Sequence, residues 1–330
     1  MRTKKLHTAL RVNTDTNDLE FVPLPSTAVP GVNELRYFKF SLMGPHPWFD
    51  SPNNEAIKSL LVENLSAFTV GLSTAKVVAI FLKGLWDVVV KEAGLEHFMA
   101  MTPNLPLHTV VTYPCCWSEE TLNRLKEAVN LSGITGDNNN EVSYCSEHEA
   151  AIHAVLFDQP NLSQRLSKDG HSIIVADCGG ISIDAATYQF GSVTSGQSTS
   201  GSIVDWASQL NGSLGLDLAF TNLLSREIQR VTGLCDSELT PEILRDKKTA
   251  LGYWHRDEMI KIFDDLINPI VAVILKLFKA AQVKKNTPKF LVLTGGLGCN
   301  DHVKLQIGDL LRRHLGNDAP EFIDQDKILA

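Results

Sequence analysis

The chain has 330 residues, of which 44% are hydrophobic and 21% charged. That length accommodates two ordinary lobes or one large α/β domain, and the composition excludes collagen-like, disordered and disulfide-scaffold classes. A formal net charge of −8 argues against a surface built to neutralise nucleic-acid phosphates or anionic lipid.

The six cysteines, Cys115, Cys116, Cys145, Cys178, Cys235 and Cys299, include no C-x-x-C pair, so no structural zinc site is expected. Adjacent Cys115 and Cys116 read as small buried residues. The amino terminus is basic, but Asn13 and Asp15 interrupt it before an apolar run forms, and Lys83 and Asp87 break 77–90. The expectation is a reduced, cytoplasmic protein without a membrane span or a nucleic-acid partner.

Residues 1–50 predict no regular element, because Pro23, Pro25, Pro30, Pro45 and Pro47 break any long helix. Val77, Val78, Phe81, Leu85, Val88 and Val89 recur at helical spacing and predict an amphipathic helix over 75–93, ended by Gly94. The β-branched run 108–114 stops at a proline and predicts a buried strand. Ser118 offers an N-cap oxygen to a helix whose apolar positions are Leu122, Leu125 and Val129. After the polar loop 136–141 comes a short strand, 142–145. Ser146-Glu147-His148-Glu149 fits a capping box, with the helix continuing through Ala150, Ala151, Ala154 and Val155. The polar stretch 158–170 is the candidate boundary and gives domains 1–157 and 171–330.

Ile173, Ile174 and Val175 predict a strand, Gly179-Gly180 a tight turn and 183–188 a returning strand. Residues 213–232 and 256–283 predict helices, the second interrupted near Pro269. The segment 289–298 reads as a strand running into glycines, and Asp301 as the cap of a helix through Val303, Leu310 and Leu311. No internal repeat is visible, which argues against a solenoid.

Two glycine turns carry the chemistry. In Asp177-Cys178-Gly179-Gly180-Ile181-Ser182-Ile183-Asp184, bare backbone lets amides approach a phosphate while a neighbouring carboxylate holds Mg²⁺ through water. In Thr294-Gly295-Gly296-Leu297-Gly298, the same bareness suits a flat ring or a sugar. Each turn alone is equally a plain hairpin.

Their order and context add more. VVTYP (110–114) with Trp117-Ser118, then Ser146-Glu147-x-Glu149-Ala150-Ala151, then D-x-G-G-x-S-x-D (177–184), then LTGGLG (293–298) resembles the ATPase domain of the seventy-kilodalton heat-shock chaperones, of the actin–hexokinase superfamily. The resemblance extends to the divergent chaperone-like proteins of filamentous fungi. It includes RYFKFSL (36–42), 76–89, 117–134 and 259–275, and so covers most of the chain. It implies an α/β, actin-like (ribonuclease H-like) two-lobed ATPase fold, truncated at both ends. Residues 1–157 would be the remnant of the first lobe with the first connecting region, and 171–330 the second lobe. The segments 172–190 and 289–298 would then face each other across a cleft. By the same resemblance Glu147 helps place a metal-bound water. Asp177, Gly179, Gly180 and Ser182 form the second phosphate loop with Asp177 near Mg²⁺, and Gly295, Gly296 and Gly298 line the adenosine site. Asp177, Asp184 and Glu147 are the acids available for catalysis.

The departures from that pattern bear on activity. The chain has no glycine-rich D-x-G-T-T hairpin and no alignable catalytic lysine upstream of Arg36; Ile181 stands where the phosphate loop has a third glycine, and His148 where the family has a proline. Phosphoryl transfer is catalysed by positioning and electrostatics, so these losses imply no competent ATP hydrolysis. The expected function is a degenerate chaperone-like fold that binds a small molecule in the cleft, with Mg²⁺ as candidate cofactor and ATP disfavoured. Its chemistry would be that of a lyase or cyclase acting on a prenyl or other diphosphate. Two alternatives stay open: a silent pseudo-ATPase that binds a protein partner, and a Mg–ATP-dependent ATPase. Asp264-Asp265-Leu266-Ile267-Asn268 and Asp15-Thr16-Asn17-Asp18 are similar to terpene-cyclase acid motifs, but helix-end acids and a solvated loop explain them more simply. His153, His171 and His302 have no partner at metal-ligand spacing, and Trp206 and Trp254 read as packing residues.

Overall fold

The computed structural model describes residues 8–12, 18–21, 34–44, 55–66, 71–92, 94–102, 105, 107–136, 140–168, 171–190, 201–235, 238 and 256–323. The architecture is mixed α/β, as expected, and the chain divides into two units. One comprises Met1–Tyr113 with Trp117–Cys145, the other Pro114–Cys116 with Ser146–Ala330.

The first unit opens with strands where the sequence predicts none. β1 (Ala9–Val12) pairs antiparallel with β2 (Leu19–Phe21) on one side and β3 (Glu34–Arg36) on the other. Leu10 and Leu35 stand opposite each other and are fully buried. Elements of three or four residues are too short for an alternating pattern to register among so many prolines. After α1 (Glu55–Ser66) comes α2 (Thr74–Glu92), which buries Val77 and Val78 on the expected stripe. Its Phe81 meets Phe21 and Phe38, with ring centroids 5.4 and 5.1 Å apart. Gly94, at φ 67°, precedes α3 (Leu95–Met101). β4 (His108–Tyr113) pairs with β5 (Glu141–Ser146) in a two-stranded sheet. It alternates exposed and half-buried residues, so the strand expected to be buried has one open face. α4 (Glu119–Ser132) begins at Ser118, whose Oγ accepts the Thr121 amide at 3.2 Å, as the sequence predicts.

The second unit contains α5 (Glu147–Asp158), α6 (Pro160–Lys168), β6 (Ser172–Cys178), β7 (Ser182–Phe190), β8 (Gly201–Leu210), α7 (Leu214–Thr232), α8 (Arg256–Val283) and β9 (Pro288–Thr294). These are followed by α9, the single turn Gly295–Gly298, then α10 (Asp301–Leu315) and β10 (Glu321–Ile323). The sheet order is β10-β9-β6-β7-β8. β6, β7 and β8 form an antiparallel meander, and β9 and β10 continue it in parallel from β6. β6 is covered on both faces, which is why it reads as an unbroken apolar run. Ile174, Ala176, Ile183, Leu291 and Leu293 share one core with α8 and α10; Ile173, Val175, Ala186, Tyr188 and Val292 share another with α5 and α6. The polar stretch 158–170 holds α6, whose Leu162 and Leu166 are buried in this second unit.

α8 runs through Pro269 without the expected interruption. A proline inside a helix costs roughly 3 kcal/mol, whereas each buried aliphatic or aromatic side chain contributes roughly 1.5–3 kcal/mol. Leu266, Ile267, Ile270, Ile274, Leu277 and Phe278 are all buried. Asn211 also donates its Nδ2 amide to the Leu266 carbonyl at 2.8 Å, supporting the turn that the proline weakens. The stretch Ile260–Val283 is long and apolar enough to cross a membrane by length and composition, and half of it is buried within the protein. α10 is capped by Asn300, whose Oδ1 accepts the Val303 amide at 3.1 Å, one residue before the cap expected at Asp301.

Candidate functional site

β6 and β9 are parallel neighbours, so 172–178 and 288–294 lie side by side in one sheet and do not face each other across a cleft. Both strands deliver their carboxyl ends, and both glycine turns, to the same edge. There Thr294, Asp177, Asp184 and Ser208 form one row in register across β9, β6, β7 and β8. Residues directly opposite in a sheet share a face. The row therefore lies on the α5 side, and the row behind it is Val292, Val175, Ala186 and Trp206.

Asp184 is 3% exposed. Ser182 Oγ donates to its Oδ2 at 2.8 Å, and Ser208 Oγ donates to its Oδ1. Two like charges opposite each other are unfavourable, and these hydroxyls offset that by engaging both oxygens of one acid. The Cys116 thiol is within hydrogen-bonding reach of Asp184 and Ser208. His148 is fully buried and donates Nε2–H to the Asp184 carbonyl at 2.7 Å, while its Nδ1 is buried without a partner. His148 is thus tied to the backbone of one of the two acids. Neither Cys116, His148 nor Ser208 stands out in the sequence as belonging here, because each comes from a different element.

The thiols around the row are pushed upward. Burial first, then the charges of Asp184 and Glu147, raise Cys115 to about 12. Burial, then Asp184, raises Cys116; burial, then Asp177 and Asp184, raises Cys178. A protonated thiol is a poor nucleophile, so these cysteines act as small neutral groups. Cys116 is buried as expected and Cys115 half-buried, both as free thiols. Glu147 opens α5, behind the cap in which Ser146 Oγ accepts the Glu149 amide at 3.2 Å.

The glycines differ in what they do. Gly295 has φ 78°, and a Cβ there would overlap Asp177 Oδ1 and the Cys178 carbonyl oxygen. Its bareness lets the Asp177 carboxylate lie across the end of β9. Gly298 is buried against Leu293 and Cys178, whereas Gly296 is exposed. The Gly179 amide donates to the Ser182 carbonyl at 3.0 Å and closes the turn. Gly180 is exposed, and a Cβ on it would meet nothing within 4 Å. The carbonyls of Gly179, Gly180 and Ile181 accept the amides of Ser213 (3.1 Å), Leu214 (2.7 Å) and Gly212 (2.8 Å). The turn is therefore fastened to the start of α7, and those amides are engaged by protein. Gly212, absent from every motif above, has the backbone of Gly180 and Ile181 where a Cβ would be. The dipeptide Asn211-Gly212, a turn signal, is the trace it leaves in the sequence.

Among the described residues, no group of three or more His, Cys, Asp and Glu could hold a metal ion. Mg²⁺ is commonly held by only one or two carboxylates, with waters and substrate phosphates completing its shell, and Asp177 fits that lesser demand. Asp264 and Asp265 are exposed on α8, Asp18 precedes β2, and Asp15, Thr16, Asn17 and Trp254 lie outside the described residues. His153 is exposed; His171 and His302 stack edge-on against Phe290 and Phe263. Trp206, read from the sequence as a packing residue, is 47% exposed on β8. No family model matches this chain, and neither does any curated protein.

Proposed function

We propose that the chain is a degenerate heat-shock-chaperone-like protein of actin-like (ribonuclease H-like) fold that binds an apolar diphosphate ester, such as a prenyl diphosphate, and does not hydrolyse ATP. The fold is supported by a mixed sheet in which an antiparallel meander is continued by parallel strands, with helices on both faces. The observation that carries the function is the row Thr294–Asp177–Asp184–Ser208 at the carboxyl ends of β6 and β9. In open α/β sheets that end is where ligands bind.

Asp177, laid over Gly295, would hold Mg²⁺, and the ion would neutralise the charge of a bound diphosphate. Asp184 has both oxygens engaged by the hydroxyls of Ser182 and Ser208, which hold it in place within the row. The neutral thiols of Cys115 and Cys116 add no further anion beside the phosphates. Gly180 leaves room above the turn. Trp206 and Ile203 project from the same face of β8, half exposed, and offer apolar surface to a hydrocarbon tail. An aromatic face also favours the positive charge that develops on carbon when a diphosphate departs with its electron pair. Against ATP stand Ile181 and the amides of residues 212–214, which are spent on the turn's own carbonyls.

The test is a thermal-shift and turnover screen with ATP, ADP and a prenyl diphosphate, each with and without Mg²⁺. The prenyl diphosphate should stabilise the protein only with Mg²⁺, and no ATP turnover should be seen. Multiple-turnover ATP hydrolysis that disappears in Asp177→Asn would overturn the proposal.

A further inference from the structure

On the opposite face of the sheet from the acid row, a cavity of about 330 Å³ lies between α10 and the ends of β9 and β10. Leu293, Leu305 and Phe322 give it apolar walls, and Lys304 and Arg312 bring two cations to it. We infer that this is a second binding site, for a small carboxylic acid with an apolar body.

Gly308 is the informative residue. It lies buried in the middle of α10 and lines the cavity, although glycine is among the poorest helix formers. Packing does not require it. A Cβ there would sit 3.5 Å from Phe322 Cε2 and 3.7 Å from Arg312 Nη2, both ordinary contacts, and its φ is not left-handed. The glycine leaves the aromatic ring and the guanidinium uncovered by a Cβ at the cavity wall. A ligand in the cavity that meets both needs an apolar body for Phe322 and an anion for Arg312.

The charge pattern selects a carboxylate. Arg312 donates Nη2 to Asp309 at 2.6 Å, a pair in which both side chains are exposed. A guanidinium has five N–H donors in a planar fork, so this bond leaves donors for a second carboxylate. Lys304 adds a second positive charge from the same helix, one turn before Gly308. Leu305, 64% exposed, is an apolar side chain that such a ligand would cover.

Octanoate, octanol and octylammonium titrated calorimetrically into the full chain test the assignment. Octanoate should bind, with octanol and octylammonium at least about tenfold weaker, since charge-assisted hydrogen bonds are roughly twice as strong as neutral ones. Gly308→Leu should abolish octanoate binding, and Arg312→Ala should weaken it at least about tenfold. Arg312 is exposed, so its variant keeps the test decisive if Gly308→Leu fails to fold. Asp177→Ala should leave octanoate binding unchanged, which separates this site from the proposed diphosphate site. No octanoate binding, equal binding of octanol, or undiminished binding in folded Gly308→Leu would overturn the inference.

Discussion

The carboxylate of Asp177 occupies the space that a side chain on Gly295 would fill. Asp177 lies near the end of β6 and Gly295 directly follows the neighbouring parallel strand β9, and the glycine's left-handed backbone turns the chain away just where the acid crosses. Gly295→Ala is therefore expected to destabilise the protein by roughly 2–4 kcal/mol. About 1–2 kcal/mol comes from the left-handed conformation and the rest from displacing the acid. Gly296→Ala, at an exposed position, should change stability by less than about 1 kcal/mol. Urea unfolding of both variants checks this; equal effects would mean that Asp177 does not depend on the bareness of Gly295.

The second glycine contact fastens the turn to α7. Gly212→Ala would push a methyl group into the Gly180–Ile181 peptide and should cost at least about 2 kcal/mol, as overpacking against backbone that cannot move aside. Gly180→Ala should be near neutral, because open space surrounds that position. If the order of the two effects were reversed in urea unfolding, the turn would not be held as described.

The hairpin and β9 were legible in the sequence because buried strands need apolar residues on both faces, and 173–176 and 290–293 supply them. Ser118 and Ser146 were legible as caps because capping is local chemistry. The pairing of β6 with β9 was not, since the hydrogen bonds join segments with β7, β8, α7 and α8 between them and no local pattern encodes a neighbour. That is why two glycine turns at one sheet edge read as two walls of a cleft. Ser208 escaped because β8 is an edge strand with a half-exposed pattern. Cys116 and His148 reach Asp184 from a turn and a helix whose own sequences give no sign of it.

The buried thiols make stability fall at alkaline pH. Their folded values lie above the ordinary 9.0, so the stability they contribute is complete below pH 9 and is lost as pH rises through the folded values. For Cys115 that window runs from 9.0 to about 12. Within it each such thiol should lower the unfolding free energy by about 1.4 kcal/mol per pH unit, because the unfolded chain has released a proton that the folded one retains. The urea midpoint should fall further between about pH 8 and about pH 10.5 in wild type than in Cys115→Ala. Identical slopes would place the alkaline loss elsewhere. In native protein, iodoacetamide should modify exposed Cys235 and Cys299 well before Cys116 or Cys178.

The acid row and the apolar edge of β8 should contribute separable parts of ligand binding. Asp177 lies in the row, whereas Trp206 stands one row behind on the same face, two residues from Ser208 and half exposed. Inorganic diphosphate engages only the first, and a prenyl diphosphate engages both. Asp177→Ala should therefore remove the Mg²⁺-dependent thermal shift with either ligand. Trp206→Ala should leave the inorganic diphosphate shift intact and weaken the prenyl diphosphate about tenfold or more, since burying an aromatic side chain contributes roughly 1.5–3 kcal/mol. Neither change touches a core side chain, because Asp177 is partly exposed and Trp206 is on an edge strand, so the unliganded melting temperatures should stay close to wild type. A Trp206 variant that loses both ligands equally would show that the tail and the phosphates are not read by different residues. An Asp177 variant that retains the Mg²⁺ dependence would remove the metal from that acid and, with it, the basis for a diphosphate at this edge.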